Sequence, residues 1–169
     1  HADSLGLPDS LKAYTIPNKR IVYGGGGITP DVFIPIDTTY YSDYYRDMIR
    51  TSTITSFMVE YTDRNRKSLL RKYRTFDRFN SEFTLDNETI EALKAAGERN
   101  GVKFDGAQYD ISAPEMLKVM KGLVARDLWD MNEYFMVVNQ KDHAIDKAVS
   151  ILNDPALYNR FLGYSSEGQ

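Results

Sequence analysis

The stretch SAPEMLKVMKGLVARDL, residues 112–128, decides the predicted fold of this chain. Ser112 and Glu115 are three residues apart with Pro114 between them, which is typical of a capping box with proline in the first helical turn. Apolar side chains then recur at helical spacing well past this stretch: Met116, Met120, Leu123, Val124, Leu128, Met131, Phe135 and Val138. The pattern predicts one long helix that starts at Ser112 and forms the centre of a helical core.

Helical spacing continues on both sides of this stretch. Upstream we predict four helices. The first is capped by Ser42 and carries Tyr45, Met48 and Ile49, and the second starts near Thr53 and has an apolar stripe that reaches Leu69. The third carries Phe76, Phe79 and Phe83, and the fourth carries Ile90 and Leu93 and ends at Asn100-Gly101. Downstream we predict a last helix that is capped by Asp142, ends at Asn153-Asp154-Pro155 and turns Ile145, Ala148, Val149 and Leu152 inward. The tail 165–169 is predicted to fray.

Residues 11–37 have a different, extended pattern. Short strands are predicted at 13–16, 20–23 and 32–34, with a turn at Pro17-Asn18 and a break at the glycine run 24–27, because consecutive glycines lose too much backbone entropy in regular structure. Prolines on both sides confine the third strand to an edge. We therefore predict a mainly α chain with two parts, a short β segment at 1–37 and a helical, bundle-like domain at 38–169.

Composition excludes several classes of function. Lys and Arg total 21 against 24 Asp and Glu, so the chain lacks the basic surplus that nucleic-acid binding requires. One basic cluster runs from Arg64 to Arg74; we interpret it as a solvated helix face, with an anionic partner as the alternative. There are no cysteines, which excludes disulfides and thiol chemistry. No apolar run reaches the roughly 18 residues of a membrane span.

Residues that could carry chemistry are scattered. The glycine run lacks the Lys and the helix of a phosphate-binding loop, since Ile28, Thr29 and Pro30 follow it. His143 has no partner at metal-ligand or triad spacing.

Two pairs of side chains remain to be considered. Asp127 and Asp130 stand three residues apart, but ion pairs or a solvated face explain them better than acid–base chemistry. Ser68 beside Lys67 lies in a charged helix where Lys keeps its high pKa and is a poor base. The sequence predicts no catalytic, cofactor-binding or metal-binding residue.

The segment AYTIPNKRIVYGGGGITPDV, residues 13–32, resembles a stretch of the carboxyl-terminal processing serine proteases, the S41 family. In that family a Tyr-x-Thr-Pro-x-Gly-Arg strand-turn-strand leads to a Gly-Ile-x-Pro-Asp turn and a short apolar strand. Residues 27–31 match this second turn, whereas Lys19 stands where the family often has Gly. The doubled glycines and the phrase at 123–129, LVARDLW, resemble the Bacteroidetes-type members.

The resemblance implies that this chain is the non-catalytic C-terminal region of a larger serine peptidase. In the family the nucleophilic Ser and the general-base Lys, in a Gly-Lys-Gly setting, precede this stretch, as does a PDZ domain. No catalytic residue can therefore be carried over, and the chain alone is predicted to be inactive. The implied partners are the upstream protease core and, for the helical region, a protein substrate or a second copy; the implied location is the cell envelope or periplasm.

The same resemblance implies that residues 1–37 complete the sheet of the protease core. Separated from that sheet, these strands would expose unpaired edges, so we expect the segment to be disordered, self-paired or domain-swapped. Two alternatives stay open. The first alternative to a protease region is a self-standing helical interaction module that shares only the Gly-Ile-Thr-Pro-Asp turn. The second is an independent enzyme with an unrecognised site.

Overall fold

The computed structural model describes residues 8–16, 18–24 and 30–164. Within them the chain is mainly helical, as predicted, with a small two-stranded antiparallel sheet. The elements are a 3₁₀ turn at Asp9–Leu11, strands β1 (Lys12–Tyr14) and β2 (Ile21–Tyr23), and helices α1 (Asp43–Arg50), α2 (Thr53–Lys72), α3 (Phe76–Glu82), α4 (Asn87–Arg99), α5 (Gly106–Leu128), α6 (Met131–Val138), α7 (His143–Leu152) and α8 (Pro155–Leu162). The predictions for Pro17, for most of the glycine run and for the tail 165–169 lie outside the described residues.

The described chain divides into two compact units. The larger unit is Asp37–Gln140 and contains α1 to α6. The smaller unit combines the described residues of 1–36 with those of 141–169, that is, the β hairpin, α7 and α8. The division of the chain into 1–37 and 38–169 remains a prediction.

The helices of the larger unit begin where short polar side chains can cap them. Ser42 accepts a hydrogen bond from the backbone N–H of Tyr45, as predicted, and Asp86 caps α4 in the same way through Thr89. The end of α4 is also confirmed, since Gly101 takes the left-handed conformation with φ 80°. The helices predicted at 53–69 and at 76–83 are present as α2 and α3.

The start of the central helix was predicted wrongly. The helix α5 begins at Gly106, where Asp105 accepts from the backbone N–H of Gln108, and it runs through Pro114. Ser112 is fully buried, and its hydroxyl lies 2.7 Å both from the carbonyl oxygen of Tyr40 and from the hydroxyl of Ser42. Ser112 therefore joins α5 to the segment before α1 and caps no helix. Asp105, seven residues before Ser112, caps α5 by the same kind of hydrogen bond, which its side-chain oxygen accepts from a backbone N–H of the first turn.

The single long stripe from Met116 to Val138 is also a wrong prediction, because the helix breaks at Trp129. The Trp129 ring lies 5.3 Å from the Phe79 ring, and Asp130 caps a new helix by accepting from the backbone N–H of Asn132 at 2.6 Å. Helix α6 then packs back on α5. This close packing depends on Gly122, because a Cβ there would lie 2.9 Å from Cγ1 of Val138.

The core of the larger unit is built from large side chains on every one of its helices. Phe79 is fully buried and stacks on Phe83 with ring centroids 4.6 Å apart. Burial of each such side chain stabilises the fold by about 1.5–3 kcal/mol. The other apolar side chains with almost no exposed surface are Met48, Met58, Leu93, Met116, Met120, Val124 and Val137.

In the smaller unit, β1 pairs antiparallel with β2, with Ala13 opposite Val22. The two longer strands are confirmed. The third predicted strand, at 32–34, is not formed among the described residues: the chain bends at Val32, and Phe33 and Ile34 lie in irregular backbone, because the flanking Pro30 and Pro35 leave too short a run to pair.

The last helix was predicted only in part. Asp142 caps α7 as predicted, accepting from two backbone N–H groups. However, Ile145, Val149 and Leu152 are all exposed, so the face predicted to point inward has no core to cover. A further helix, α8, follows Asn153 and was not predicted. Asp154 caps it, and Pro155 is its first residue, a position at which the missing backbone N–H of proline would have no helical partner.

Candidate functional site

The structure places the scattered polar candidates in structural roles. Asp127 accepts from Nε of Arg126 at 2.8 Å, while Asp130 caps α6. Each carboxylate thus has its own partner. Ser68 donates to the carbonyl oxygen of Asn65 on the exposed side of α2, and His143 is exposed at the start of α7.

Two arginines of the basic cluster form ion pairs within α2. Arg64 pairs with Glu60 at 3.0 Å and Arg66 with Asp63 at 2.9 Å. Arg66 also donates to the carbonyl oxygen of Asp127 at 2.6 Å, which ties α2 to the end of α5. The interpretation as a solvated helix face with local ion pairs agrees with these contacts.

Ser112 is the one buried serine of α5, and its surroundings give it no base. Its hydroxyl contacts the carbonyl oxygen of Tyr40, the Ser42 hydroxyl and the Ser42 backbone N–H, the last at 3.3 Å. A nucleophilic serine requires a neighbouring group that accepts its proton, which these groups do not supply. Among residues 8–16, 18–24 and 30–164, no cluster of three His, Cys, Asp or Glu could hold a metal ion.

A polar groove of about 290 Å³ lies between α2 and the start of α4. Its lining includes Glu60, Tyr61, Arg64, Asp86 and Glu88. Hydrogen bonds from the Thr89 side chain and backbone lower the pKa of Asp86, whereas burial, followed by the charge of Asp86, raises the pKa of Tyr61. Asp86 caps α4, Glu60 pairs with Arg64, and Glu88 lies in the first turn of α4, where the helix dipole favours an acidic side chain.

An apolar groove of about 270 Å³ lies among the end of α3, α5 and the end of α6. Its walls are Phe83, Leu85, Leu117 and Val137, and Lys118, Lys121 and Gln140 also line it. Lys121 donates from Nζ to the carbonyl oxygen of Asn80 at 2.7 Å. Burial lowers the pKa of Lys121.

A third cluster surrounds Lys94, whose Nζ lies 4.6 Å from the ring centroids of both Phe104 and Tyr109. Lys94 also pairs with Glu91 at 2.7 Å, so this cation is satisfied twice within the chain. Tyr44 packs edge-on against Phe104, and its buried hydroxyl has no hydrogen-bond partner in the part of the chain that the structure describes. Burial raises the pKa of Tyr44 to about 12.

Sequence reasoning missed both grooves and the Lys94 cluster. The members of the apolar groove come from the loop after α3, from α5 and from the end of α6, and Leu85 and Leu117 are more than 30 residues apart, so no spacing rule joins them. No sequence signal marks Lys121, because a polar residue between Met120 and Leu123 is ordinary at helical spacing.

In the smaller unit, Arg20 is the central contact. It pairs with Asp31 at 2.7 Å and also donates to the carbonyl oxygen of Phe161 in α8. Asn18 donates to the carbonyl oxygen of Leu162 at 2.9 Å. These bonds connect the β hairpin to the last helix of the chain.

Comparison with known proteins assigns a family and no activity. A family model with the description "Family of unknown function (DUF8443)" matches residues 44–130. The chain belongs to this family. The match lies within the larger unit, from α1 to the cap of α6. No curated protein and no solved structure matches the chain.

No helix in the described residues is both long enough and apolar enough to cross a bilayer. The family assignment therefore leaves the function to be inferred from the chain's own residues.

Proposed function

We propose that this chain is the non-catalytic C-terminal region of a larger S41-type serine endopeptidase. In this proposal the smaller unit completes the sheet of the protease core, and the helices support the core, guide a protein substrate or mediate assembly. The Ser and Lys that cleave the peptide bond belong to the upstream part of the parent. As the resemblance implies, the parent acts in the cell envelope or periplasm.

The proposal is carried by one observation, the exposed apolar surface of residues 8–36. Ile16, Phe33 and Ile36 are 88%, 79% and 83% exposed, and all three lie outside the helices and strands. Three large side chains in this state within so short a segment are unfavourable in water. A sheet from another part of a longer polypeptide would cover them and pair the open edges of the β hairpin.

Two details of the same unit support the resemblance to the S41 family. Lys19, which stands where the family often has Gly, has φ 52°, a left-handed conformation that glycine adopts at no steric cost. Arg20 and Asp31 come from the two separate parts of the matching segment, and they form the 2.7 Å ion pair described above.

The coding sequence upstream of His1 gives the first test. We expect the reading frame to continue through a PDZ-like stretch, a Ser and a Gly-Lys-Gly. A start codon or a signal peptide immediately upstream would contradict the proposal.

A second test uses the whole parent protein and a charged substitution on the exposed segment. We expect Phe33→Asp to reduce hydrolysis of an unfolded protein substrate and to lower the melting temperature of the parent, because the parent covers this ring. The control is Ile111→Asp, an exposed isoleucine on α5 in the larger unit, which should change neither. Equal behaviour of the two variants would contradict the proposal.

The alternative function is a self-standing helical interaction module. It is favoured by the larger unit, which contains its own buried core and the whole family match. The upstream sequence distinguishes the two: the module requires a chain that carries no peptidase segments before His1.

A further inference from the structure

The apolar groove carries an inference that is independent of the proposed function. The groove combines apolar walls with a lysine, and the two lysines that line it differ in their partners. Lys118 is neutralised by Glu115, with 2.7 Å between Nζ and Oε2. Lys121 forms no ion pair with any residue in the described parts of the chain; its bond to the Asn80 carbonyl uses one of three N–H donors.

Lys121 can take a further partner. It is half-buried, and its ammonium lies over the Phe79 ring, 6.0 Å from the centroid, at the outer limit of a cation–π contact. Partial withdrawal of a charge from water costs free energy that a hydrogen-bonded opposite charge offsets. An anion therefore suits this position, and a carboxylate suits a primary ammonium because it forms short charge-assisted hydrogen bonds.

The remainder of the groove defines the rest of the ligand. Phe83, Leu85, Leu117 and Val137 offer no side-chain hydrogen-bonding group, so the part of a ligand that lies on them is apolar, whereas Thr84, Lys118 and Gln140 line the rest of the groove. The volume of about 270 Å³ is slightly below the range of drug-sized ligand sites, which fits a small molecule with one short apolar chain.

We propose that the apolar groove binds a small monocarboxylate with a linear apolar chain, such as a medium-chain fatty acid anion. The carboxylate lies on the Lys121 ammonium, and the chain lies between Leu85 and Leu117. The ligand supplies the counter-ion that Lys121 lacks and covers the apolar walls.

Isothermal titration calorimetry of the 169-residue chain with sodium octanoate tests this proposal. We expect saturable binding with a dissociation constant on the order of 1 mM or lower. 1-Octanol has the chain without the charge, and acetate has the charge without the chain. Each is expected to bind at least about 10-fold more weakly than octanoate, because it satisfies one half of the site.

Substitution of Lys121 identifies the site. Lys121→Met keeps the apolar stem and should weaken octanoate binding at least about 10-fold, whereas Lys121→Arg keeps the charge and should weaken it less than about 3-fold. The control is Lys103→Met in the exposed loop between α4 and α5, which should leave binding unchanged. Circular dichroism and the melting temperature establish that each variant is folded.

Three results would overturn the proposal: absence of saturable octanoate binding, equal binding of octanol and octanoate, or undiminished binding by folded Lys121→Met. An acidic, apolar peptide that binds about 10-fold more tightly than octanoate would also overturn it, in favour of a protein partner. If Lys121→Met does not fold, NMR of the wild-type chain decides the question, because octanoate must shift the methyl resonances of Leu85 and Val137 and leave those of exposed Ile111 unchanged.

Discussion

The two units of this chain use similar residues and reach opposite outcomes. Helix α4 of the larger unit and helix α7 of the smaller unit both begin with an Asp cap, and both carry aliphatic side chains at helical spacing. In α4 the side chain of Leu93 is almost fully buried, while in α7 the side chain of Val149 is half exposed. Every buried side chain in the described residues belongs to the larger unit.

The difference shows that amphipathic spacing places the apolar side chains on one face of a helix, but that their burial depends on other elements that pack against this face. In the larger unit, the apolar faces of the six helices pack against one another, and aromatic and methionine side chains from different helices form one core. The described residues of the smaller unit form two short strands, a 3₁₀ turn and two short helices, and none of their side chains is buried. This contrast leads to the following predictions, from the largest expected effect to the smallest.

Amide hydrogen exchange should separate the two units most widely. We expect the central amides of α2 and α5 to exchange only through global unfolding, which costs about 5–15 kcal/mol for a typical domain. The amides of α7 should exchange through local opening of about 1–2 kcal/mol, because no buried side chain holds this helix. Equal protection of α7 and α5 would show that the smaller unit is covered, for example by a second copy.

Truncation of one side chain in each unit should give unequal losses of stability. Phe79→Ala removes a ring that contacts Tyr73, Phe83 and Trp129, and should lower the free energy of unfolding by about 3–5 kcal/mol. Val149→Ala should change it by no more than about 0.5 kcal/mol, because this side chain is half exposed. Urea titrations of both variants provide the measurement, and similar losses would contradict the comparison.

A glycine within the larger unit tests how closely its helices pack. Gly122→Val should lower the free energy of unfolding by about 1–3 kcal/mol, since the new methyl groups meet Val138 and Tyr134. The control is Gly106→Ala in the first turn of the same helix, where the nearest atom that a Cβ would meet belongs to Phe104 at 3.8 Å. Thermal unfolding should show no loss for the control, and a loss there equal to that of Gly122→Val would contradict the packing argument.

The larger unit should also lose stability in alkali. Burial raises the folded-state pKa of Tyr44 from 10.0 to about 12, so the folded state holds its proton more tightly than the unfolded state does. The stabilisation from this group is complete below pH 10 and decreases as the pH rises to about 12. Urea titrations at pH 9 to 12 measure this slope.

Tyr44→Phe isolates the contribution of that group. The variant should reduce the alkaline slope and leave the neutral-pH stability equal or higher, since the lost hydroxyl is buried without a partner among the described residues. An unchanged slope would show that other groups cause the alkaline loss; burial also raises the pKa of Tyr45, Tyr61 and Tyr109.

The smallest expected effects come from two threonines of the larger unit that differ in their partners. The Thr62 hydroxyl is fully buried and has no hydrogen-bond partner in the described residues, so Thr62→Val should raise the free energy of unfolding by about 1 kcal/mol. The Thr89 hydroxyl bonds to the capping carboxylate of Asp86, so Thr89→Val should lower it by about 1 kcal/mol. Chemical denaturation measures both, and a change of the same sign in the two variants would contradict the difference in partners.

The sequence by itself determined most of the local structure. Helix caps at Ser42 and Asp142, the stop at Gly101 and the first two strands follow from rules that act within a few residues. The resemblance to the S41 family rests on residues 13–32 and on the phrase at 123–129, and in the structure two residues of the first segment, Arg20 and Asp31, form an ion pair.

Only the tertiary structure decided where the long apolar stripe breaks, which faces are covered and where the grooves lie. The stripe from Met116 to Val138 is continuous in the sequence, yet the chain turns at Trp129 because its ring packs on Phe79, some 50 residues earlier. The sequence around Ser112 is typical of a helix cap, but in the structure its hydroxyl bonds to the segment around Ser42, 70 residues earlier. Lys121 becomes a candidate anion-binding residue only in the tertiary structure, where it lines the apolar groove and forms no ion pair with any described residue, since burial and charge pairing depend on which distant residues meet.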